Sequence, residues 1–307
     1  MKQIICIGGA TLDYKLKAIN TLELASSNPV ISFQSFGGVA HNVAANLANL
    51  VKSVSLQCLV GDDAEGKNLL SHLKQQQINI DNCLVLPNQR TARYYAILNP
   101  HGELHTALID MQIYENIPVD LFIQHWSSTF KNNIVFIDTN LAPEILSHAA
   151  ALNATKHLCI DAVSIAKSAK LPQNMQGVFL LKTDRYETQA LTNLPLTSIT
   201  EYSAAAKSLL QRGMKNVLIT LGEDGYILAN QDGITHVAAR PLKNIADVSG
   251  AGDAFVAGML AGLQHDMRLE EACQLGAAAA YLTLQSDKTV ADNFNLADLQ
   301  KLSLLQH

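Results

Sequence analysis

Basic runs are missing from this sequence. Lysine and arginine together number 22 against 27 aspartates and glutamates in 307 residues, for a net charge of −5. With no lysine/arginine cluster there is no electrostatic footprint for nucleic acid or an anionic membrane, and neither is expected as a partner. A small anionic substrate would need backbone dipoles or a metal to hold it, because the surface as a whole supplies no positive field. Paired cysteines are missing too. Cys6, Cys58, Cys83, Cys159 and Cys273 are scattered without C-x-x-C spacing, and three of them fall in apolar runs that read as strands. They are expected to be small buried hydrophobes rather than disulfides or metal ligands. No run reaches about 18 uninterrupted apolar residues, the length a membrane span needs. The N-terminus, MKQIICIGGA, begins on an apolar strand rather than on a basic segment with a long apolar one behind it. A soluble cytoplasmic protein is the expectation. Internal repeats and low-complexity linkers are also lacking, so residues 1–307 read as one domain.

Apolar residues make up 48% of the chain and charged ones 16%, a composition that supports a sizeable core. Short apolar runs alternate with helical patterns along most of it. IICIG, ending on Gly8 and Gly9, predicts a strand, and VAHNVAANLANL (39–50) puts Val39, Val43, Leu47 and Leu50 on one helical face. SVSLQCLV (53–60) reads as the next strand and GKNLLSHLKQQ as the next helix. Further strands are expected at IVFID (134–138), HLCID (157–161), VFLLK (178–182) and NVLIT (216–220). The alternation predicts an α/β fold in three layers, with helices on both faces of a mainly parallel central sheet. Two stretches break the rhythm, 11–36 and about 91–110, and both are too long for loops. The second reads as a β-hairpin, TARYYAIL and LHTALID, turning at Asn99, Pro100 and Gly102. Antiparallel strands added at one end of a parallel sheet would form a small β lid over the edge where ligands bind.

Two stretches invite a phosphate-binding reading, and one fails. GDDAEGKN (61–68) stops a residue short of the P-loop pattern: Asn68 stands where a hydroxyl should meet magnesium, and Asp62, Asp63 and Glu65 would face the phosphates. Those acids suit the start of the helix that follows. DVSGAGDAF (247–255) is different. Gly250, Ala251 and Gly252 would leave backbone N–H groups bare where a helix begins, a seat for an anion, and the carboxylate of Asp253 comes next. A glycine-rich turn into a closely packed helix would explain Gly258 and Gly262 but not G-A-G-D. Phosphoryl transfer needs both features together, backbone donors for the moving group and a base beside the attacking hydroxyl. The helix dipole also favours a charge in the first turn, so Asp253 can stay ionised there.

ADVSGAGDAF resembles the C-terminal signature of the ribokinase-like (PfkB) family of sugar and nucleoside kinases. FGGVAHNVAANLANLV (36–51) resembles its N-terminal signature, G-G-x-x-x-N-x-A-x-x-L-A-x-L, and the two stand in the family's order about 200 residues apart. The resemblance spans essentially the whole chain. It implies a ribokinase-like fold and a transfer of the γ-phosphoryl group of ATP, with Mg2+, to a primary hydroxyl. It also implies that Asp253 is the base for that hydroxyl and that the amides of Ala251, Gly252 and Asp253, entered through Gly250, form the anion hole. Asp13, Gly37, Gly38 and Asn42 match the family's sugar site, where an Asp and an Asn take paired hydroxyls and glycines let the ring lie against the backbone. For Asn42 the alternative is a helix cap. Asn140 falls where the family often places another sugar contact. Thr220 and Gly222, in TLGEDG, resemble the nucleotide side, with an ordinary glycine turn as the alternative.

One departure stands out. The family's N-x-x-E, which positions magnesium through waters, is D-x-x-E here, Asp184 and Glu187. Aspartate keeps the oxygen and adds a charge, and residues three apart share a helix face. The added charge beside a triphosphate puts the usual metal geometry in question. The resemblance extends to a monovalent cation, K+, beside the anion hole, with Asp247 and the Ser249 carbonyl as candidate ligands. His41, His101 and His105 are nearest the expected pocket but lack metal-binding spacing, and surface or lid positions are expected for them. Ser249 is not in a G-x-S-x-G, so hydrolase chemistry is not supported.

Within the family, SSNPVISFQSFGGVAHNVAANLA and DNCLVLPNQRTARYYAILNPHGELHTALIDM look most like the pseudouridine kinases. IDAVSIAK (160–167) is similar to their D-P-V-S segment, with Ala162 in place of the proline. The implied reaction is pseudouridine to pseudouridine 5′-phosphate, with Tyr94 or Tyr95 of the lid stacking on the base. A ribokinase- or fructokinase-like enzyme on the same scaffold, or a non-catalytic nucleoside-binding sensor, are the alternatives. The strand edges of the lid need covering, so a homodimer paired through the lid strands is expected.

Overall fold

The structure, a computed structural model, describes residues 2–152, 154–242, 245, 248–286, 288–290 and 295–304. Its strands, in chain order, are β1 (Ile4–Ile7), β2 (Thr11–Ala18), β3 (Val30–Gly37), β4 (Val54–Gln57), β5 (Leu59–Gly61), β6 (Leu84–Leu86) and β7 (Arg93–Leu98). They continue with β8 (Leu104–Asp110), β9 (Ile134–Asp138), β10 (His157–Asp161), β11 (Leu180–Asp184), β12 (Asn216–Thr220), β13 (Tyr226–Asn230) and β14 (Gly233–Val237). Eight of them form the central sheet, ordered β14-β13-β12-β11-β10-β9-β1-β4. From β4 to β12 the neighbours are parallel, and β13 and β14 return antiparallel at one edge.

Side-chain alternation explains the layers. Ile4, Cys6, Ile134 and Phe136 point into one buried cluster, whereas Ile5, Ile7, Val135 and Ile137 point into the other. With both faces apolar, each has to be covered by helices. Helices Val39–Leu50, Ala64–Gln75, Ala251–Gln264 and Leu269–Thr283 cover the first face, and Pro143–Leu152 and Ile199–Leu210 the second. The three-layer α/β/α architecture expected from the sequence is the one observed. No helix of the described residues is long and apolar enough to cross a membrane.

The lid is a separate four-stranded sheet, β3-β2-β7-β8, built from the two stretches that broke the rhythm. Asn99 makes its hairpin turn by accepting from the amides of His101 and Glu103 at 2.9 Å each. Two boundaries differ from expectation. SVSLQCLV is not one strand: it divides at Cys58, and β5 leaves the main sheet to pair with β6. VFLLK starts its strand two residues later than expected, so that β11 ends on Asp184.

The sheet order positions the site. β1 lies between β4 and β9, so connections leave it in opposite directions and open a crevice at the carboxyl ends. Along that edge, Asp138, Asp161, Asp184 and Thr220 close β9, β10, β11 and β12.

Candidate active site

Asp138 ties the crevice together. Its Oδ2 accepts from the amides of Gly9 (2.8 Å) and Ala40 (2.9 Å), and its Oδ1 accepts from the amide of Asn140 (2.9 Å). Burial still pushes its carboxyl above the usual range, against these donors. The knot fixes the entry of helix Val39–Leu50, which begins through Gly38 at φ +95°. A Cβ there would overlap the Gly9 carbonyl, and one on Gly37 would overlap the Asp13 carboxylate. Asp13 in turn accepts from Thr11 Oγ1 at 2.6 Å.

A cavity of about 190 Å³ follows. Its wall contains Asp13, Gly38, Asn42 and Asn140, four of the expected residues, with Thr11, Val39, Tyr94, Ile109, Met111, Val163 and Lys167. Of the two lid tyrosines, Tyr94 lines the cavity, while Tyr95 stacks on Tyr14 with centroids 5.2 Å apart. Val163 holds φ +63°, a left-handed conformation that costs a β-branched residue about 1–2 kcal/mol. Lys167 Nζ donates to Asn140 Oδ1; burial lowers its pKa, and Asp138 works the other way. Val163 and Lys167 both fall in IDAVSIAK, but nothing within that segment marks either as part of the cavity wall.

Helix Ala251–Gln264 brings in Asp253. It starts at Gly250, φ +79°, with no side-chain cap, and a Cβ on Gly250 would overlap the Thr289 carbonyl. The Ala254 amide donates to Gly250 O at 2.8 Å, and the amides of Gly252 and Asp253 precede it, where a helix has no acceptors of its own. The other helix start is used internally: Ala40 donates to Asp138, and His41 donates to Gly9 O at 3.2 Å. Of these two helix starts, the one at Gly250–Asp253 leaves the amides of Gly252 and Asp253 without a helical acceptor, while the Ala251 amide lies 3.5 Å from Val248 O. Asn42 spans the gap between the helices, its Nδ2 donating to Asp253 Oδ2 at 2.8 Å. It is not a cap; Gly38 occupies that position. Burial raises the Asp253 pKa to about 7, with Asn42 lowering it, Asp161 raising it, Lys182 lowering it and Asp138 raising it.

Lys182 escaped the sequence reading. Its Nζ lies 3.0 Å from Asp161 Oδ2, and a Cβ on Gly252 would sit 3.5 Å from that same nitrogen. Burial disfavours its charge, but Asp161, Glu187 and Asp253 outweigh this and hold its pKa above the ordinary lysine value. The signal available was a charge closing an otherwise apolar strand, VFLLK.

A model of the pfkB family carbohydrate kinases matches residues 1–294. The chain belongs to the PfkB family of carbohydrate kinases. It is similar to the pseudouridine kinase of Escherichia coli, 27% identical over 97% of this chain and 96% of that protein. It is also similar to the guanosine-inosine kinase of Exiguobacterium acetylicum, 25% identical over 91% and 93% of the two chains. Among solved structures it resembles a carbohydrate kinase from Agrobacterium tumefaciens, with a TM-score of 0.84 and 25% identity over 99% of this chain and 98% of that one. The protein is thus an ATP-dependent sugar or nucleoside kinase with the ribokinase-like fold.

Beyond β11 in this PfkB kinase, Asp184 and Glu187 form a reciprocal cap on helix Arg185–Thr192. The Glu187 amide donates to Asp184 Oδ1, and the Asp184 amide donates to Glu187 Oε2, each at 2.8 Å. Asparagine and aspartate both serve as caps, which is why the family's N-x-x-E accommodates D-x-x-E. One oxygen of each carboxylate is committed to the cap. No group of three or more His, Cys, Asp or Glu among the described residues is gathered for a metal. A carboxylate pair of this kind fits magnesium, which keeps most of its waters and takes substrate phosphates as ligands. When bound, the ion would neutralise charge on the β- and γ-phosphates. Burial raises Glu187 to about 7. Thr220 pairs with Asp184 across β11 and β12. Gly222, at φ +65°, follows beside Arg185, whose guanidinium donates to Leu221 O and Asp224.

The remaining expectations divide. Asp247 lies outside the described residues, and Ser249 is in the turn just before Gly250. His101 and His105 are exposed on the lid, but His41 is only 2% exposed, a correction to the surface position expected for it. The helix turns it inward beside Asn42. The P-loop lookalike is structural: Asp63 caps helix Ala64–Gln75 through Gly66 N at 2.7 Å, and Glu65 accepts from Tyr14 and Arg93 of the lid.

Proposed function

We propose that this PfkB kinase phosphorylates the 5′-hydroxyl of pseudouridine. The observation that carries the reading is the mixed wall of the cavity. Asp13, Asn42 and Asn140 are partners for sugar hydroxyls, while Tyr94, Ile109, Met111 and Val163 offer apolar surface to a flat ring and Lys167 offers a cationic donor to ring carbonyls. A free pentose would leave the second set unused. The similarity to the Escherichia coli pseudouridine kinase over nearly both full chains supports the same reading.

In this mechanism Asp253 takes the proton of the attacking hydroxyl as the new O–P bond forms and the bond to ADP breaks. The amides of Ala251, Gly252 and Asp253, opened by Gly250, hold the moving phosphoryl group. The transition state is loose, so the proton leaves late. Gly37 and Gly38 let the sugar approach the backbone, Thr220 and Gly222 meet ATP, and Asp184 and Glu187 would hold Mg2+, which would supply charge neutralisation at the phosphates. Asp247 and the Ser249 carbonyl are the ligands proposed for K+.

With ATP and Mg2+, a panel of pseudouridine, uridine, inosine, guanosine, ribose and fructose 6-phosphate should show the highest kcat/KM for pseudouridine. Lys167→Met should lower that value about 100-fold while changing ribose turnover far less, since it leaves the ring carbonyl of the base without its buried donor. Turnover of ribose or fructose 6-phosphate without pseudouridine would overturn the substrate. No ATP consumption across the panel would favour a sensor.

We also propose a homodimer through the lid. Its edge strands β3 and β8 expose Phe33 and Leu108, each 57% accessible, and open apolar edges favour strand pairing. Sedimentation at micromolar concentration should give twice the chain mass; a monomer would refute the pairing.

A further inference from the structure

We propose that His41 is a positioning residue for the base: it fixes the Asn42 carboxamide so that the NH2 group, and not the oxygen, faces Asp253. This rests on the reading of Asp253 as the base.

Three contacts carry the inference. His41 Nδ1 lies 3.1 Å from Asn42 Oδ1. That oxygen can only accept, so Nδ1 carries the hydrogen and the ring is the Nδ1–H tautomer. Asn42 Nδ2 then donates to Asp253 Oδ2 at 2.8 Å. A carboxamide is nearly symmetric in shape and opposite in polarity at its two ends. Reversed, it would turn its oxygen on the carboxylate and its NH2 on Nδ1–H. The ring therefore selects the orientation that favours ionised Asp253.

The other ring nitrogen makes the case stronger. His41 Nε2 is buried and has no hydrogen-bond partner among the described residues. Its surroundings are aromatic: Phe36 at 6.3 Å and His72 at 6.1 Å between centroids. A residue needed only to fill this space would be phenylalanine, which leaves no orphaned nitrogen. The imidazole is retained at a cost, and the contact that its ring nitrogen makes is the one to Asn42.

Burial and His72 lower the His41 pKa, against the pull of Asn42, to about 4, so the ring stays neutral through the working range. The charged groups facing Asp253 are Asp161, Asp138 and Lys182, and Asn42 is the hydrogen-bond donor that opposes the acids. Without a fixed donor, the Asp253 pKa rises and less of the base is ionised at a given pH.

His41→Phe keeps the ring and removes the donor, while His41→Asn places an amide nitrogen near the position of Nδ1. In His41→Phe the acid limb of kcat against pH should move up by about one unit, the worth of one hydrogen bond to a carboxylate. Turnover should fall about fivefold at pH 7 and recover toward the wild-type value near pH 9. His41→Asn should return the limb to its original position. A deficit of equal size at every pH, an unmoved limb, or an Asn variant no better than Phe would each overturn the proposal. If the Phe variant does not fold, His41→Met serves the same comparison. The limb is measurable with whichever acceptor is turned over, so a wrong substrate does not affect the test. Failure of Asp253 as the base shows separately, as turnover surviving Asp253→Asn.

Discussion

Asp253→Asn is expected to lower kcat by about three orders of magnitude, within the range that loss of a general base produces, while the acceptor KM changes by less than about threefold. The side chains are nearly identical in shape, so the helix start at Gly250 and the sugar contacts proposed for Asp13 and Asn140 are not disturbed. What disappears is the carboxylate that Asn42 holds toward the site. The pH profile gives a second readout. With a pKa of about 7, the wild-type base is ionised above neutrality, so kcat/KM should fall below about pH 7, and the residual activity of the variant should lack that limb. Stability should move the opposite way. The folded pKa lies above the ordinary carboxylate value, so the native state binds more protons than the unfolded one between about pH 4 and pH 7 and loses stability as pH rises through that window. The Asn variant escapes this loss and should melt higher than wild type at pH 8, the two converging below about pH 4. Equal damage to kcat and to binding, with a lower melting point, would make Asp253 structural.

The residues behind that prediction were readable to different degrees. Gly37, Gly38 and Gly250 were legible because a missing side chain is a local fact: each position leaves no room for a Cβ, and the same glycines mark the motifs. Asp13, Asn42 and Asp253 came with them. The alternation that gave the three layers was equally local, since each strand points residues to two apolar faces. Register was not local. Asp161 and Lys182 pair across β10 and β11, and nothing within either segment says that they meet. The division at Cys58 depends on β6, a partner 25 residues further on. His41 looked like a polar residue on an amphipathic helix because what covers it, Phe36 of β3 and His72 of helix Ala64–Gln75, comes from separate elements. D-x-x-E illustrates a different limit. Its spacing fits a metal pair and a capping box equally well, and only the backbone shows that the cap is made.

Lys182→Met is the second large effect expected, and two mechanisms must be separated in it. The lysine is buried against Asp161 at 3.0 Å, so removing it strands a carboxylate and should cost about 3–5 kcal/mol of stability. Its nitrogen also adjoins Gly252, in the seat proposed for the moving phosphoryl group. A fixed positive charge there is worth most where charge is in motion and water is excluded, and losing one such donor lowers kcat by about 100- to 1,000-fold. Pairing the change with Asp161→Asn separates the two. The double variant has no stranded charge, so its melting point should recover most of the loss. If the ammonium acts on the phosphoryl group, turnover should stay low even so, because the neutralised neighbour does nothing for the phosphate. Recovery of turnover together with stability would reduce Lys182 to a counter-ion. Retention of the defect has a further electrostatic consequence. Asp161, Glu187 and Asp253 all raise the lysine pKa in the protein without ligand, so three acids compete for one cation until a phosphate arrives. Binding of ATP should therefore draw the ammonium away from Asp161, and the double variant, which lacks both partners, should lose more affinity for ATP than Asp161→Asn alone.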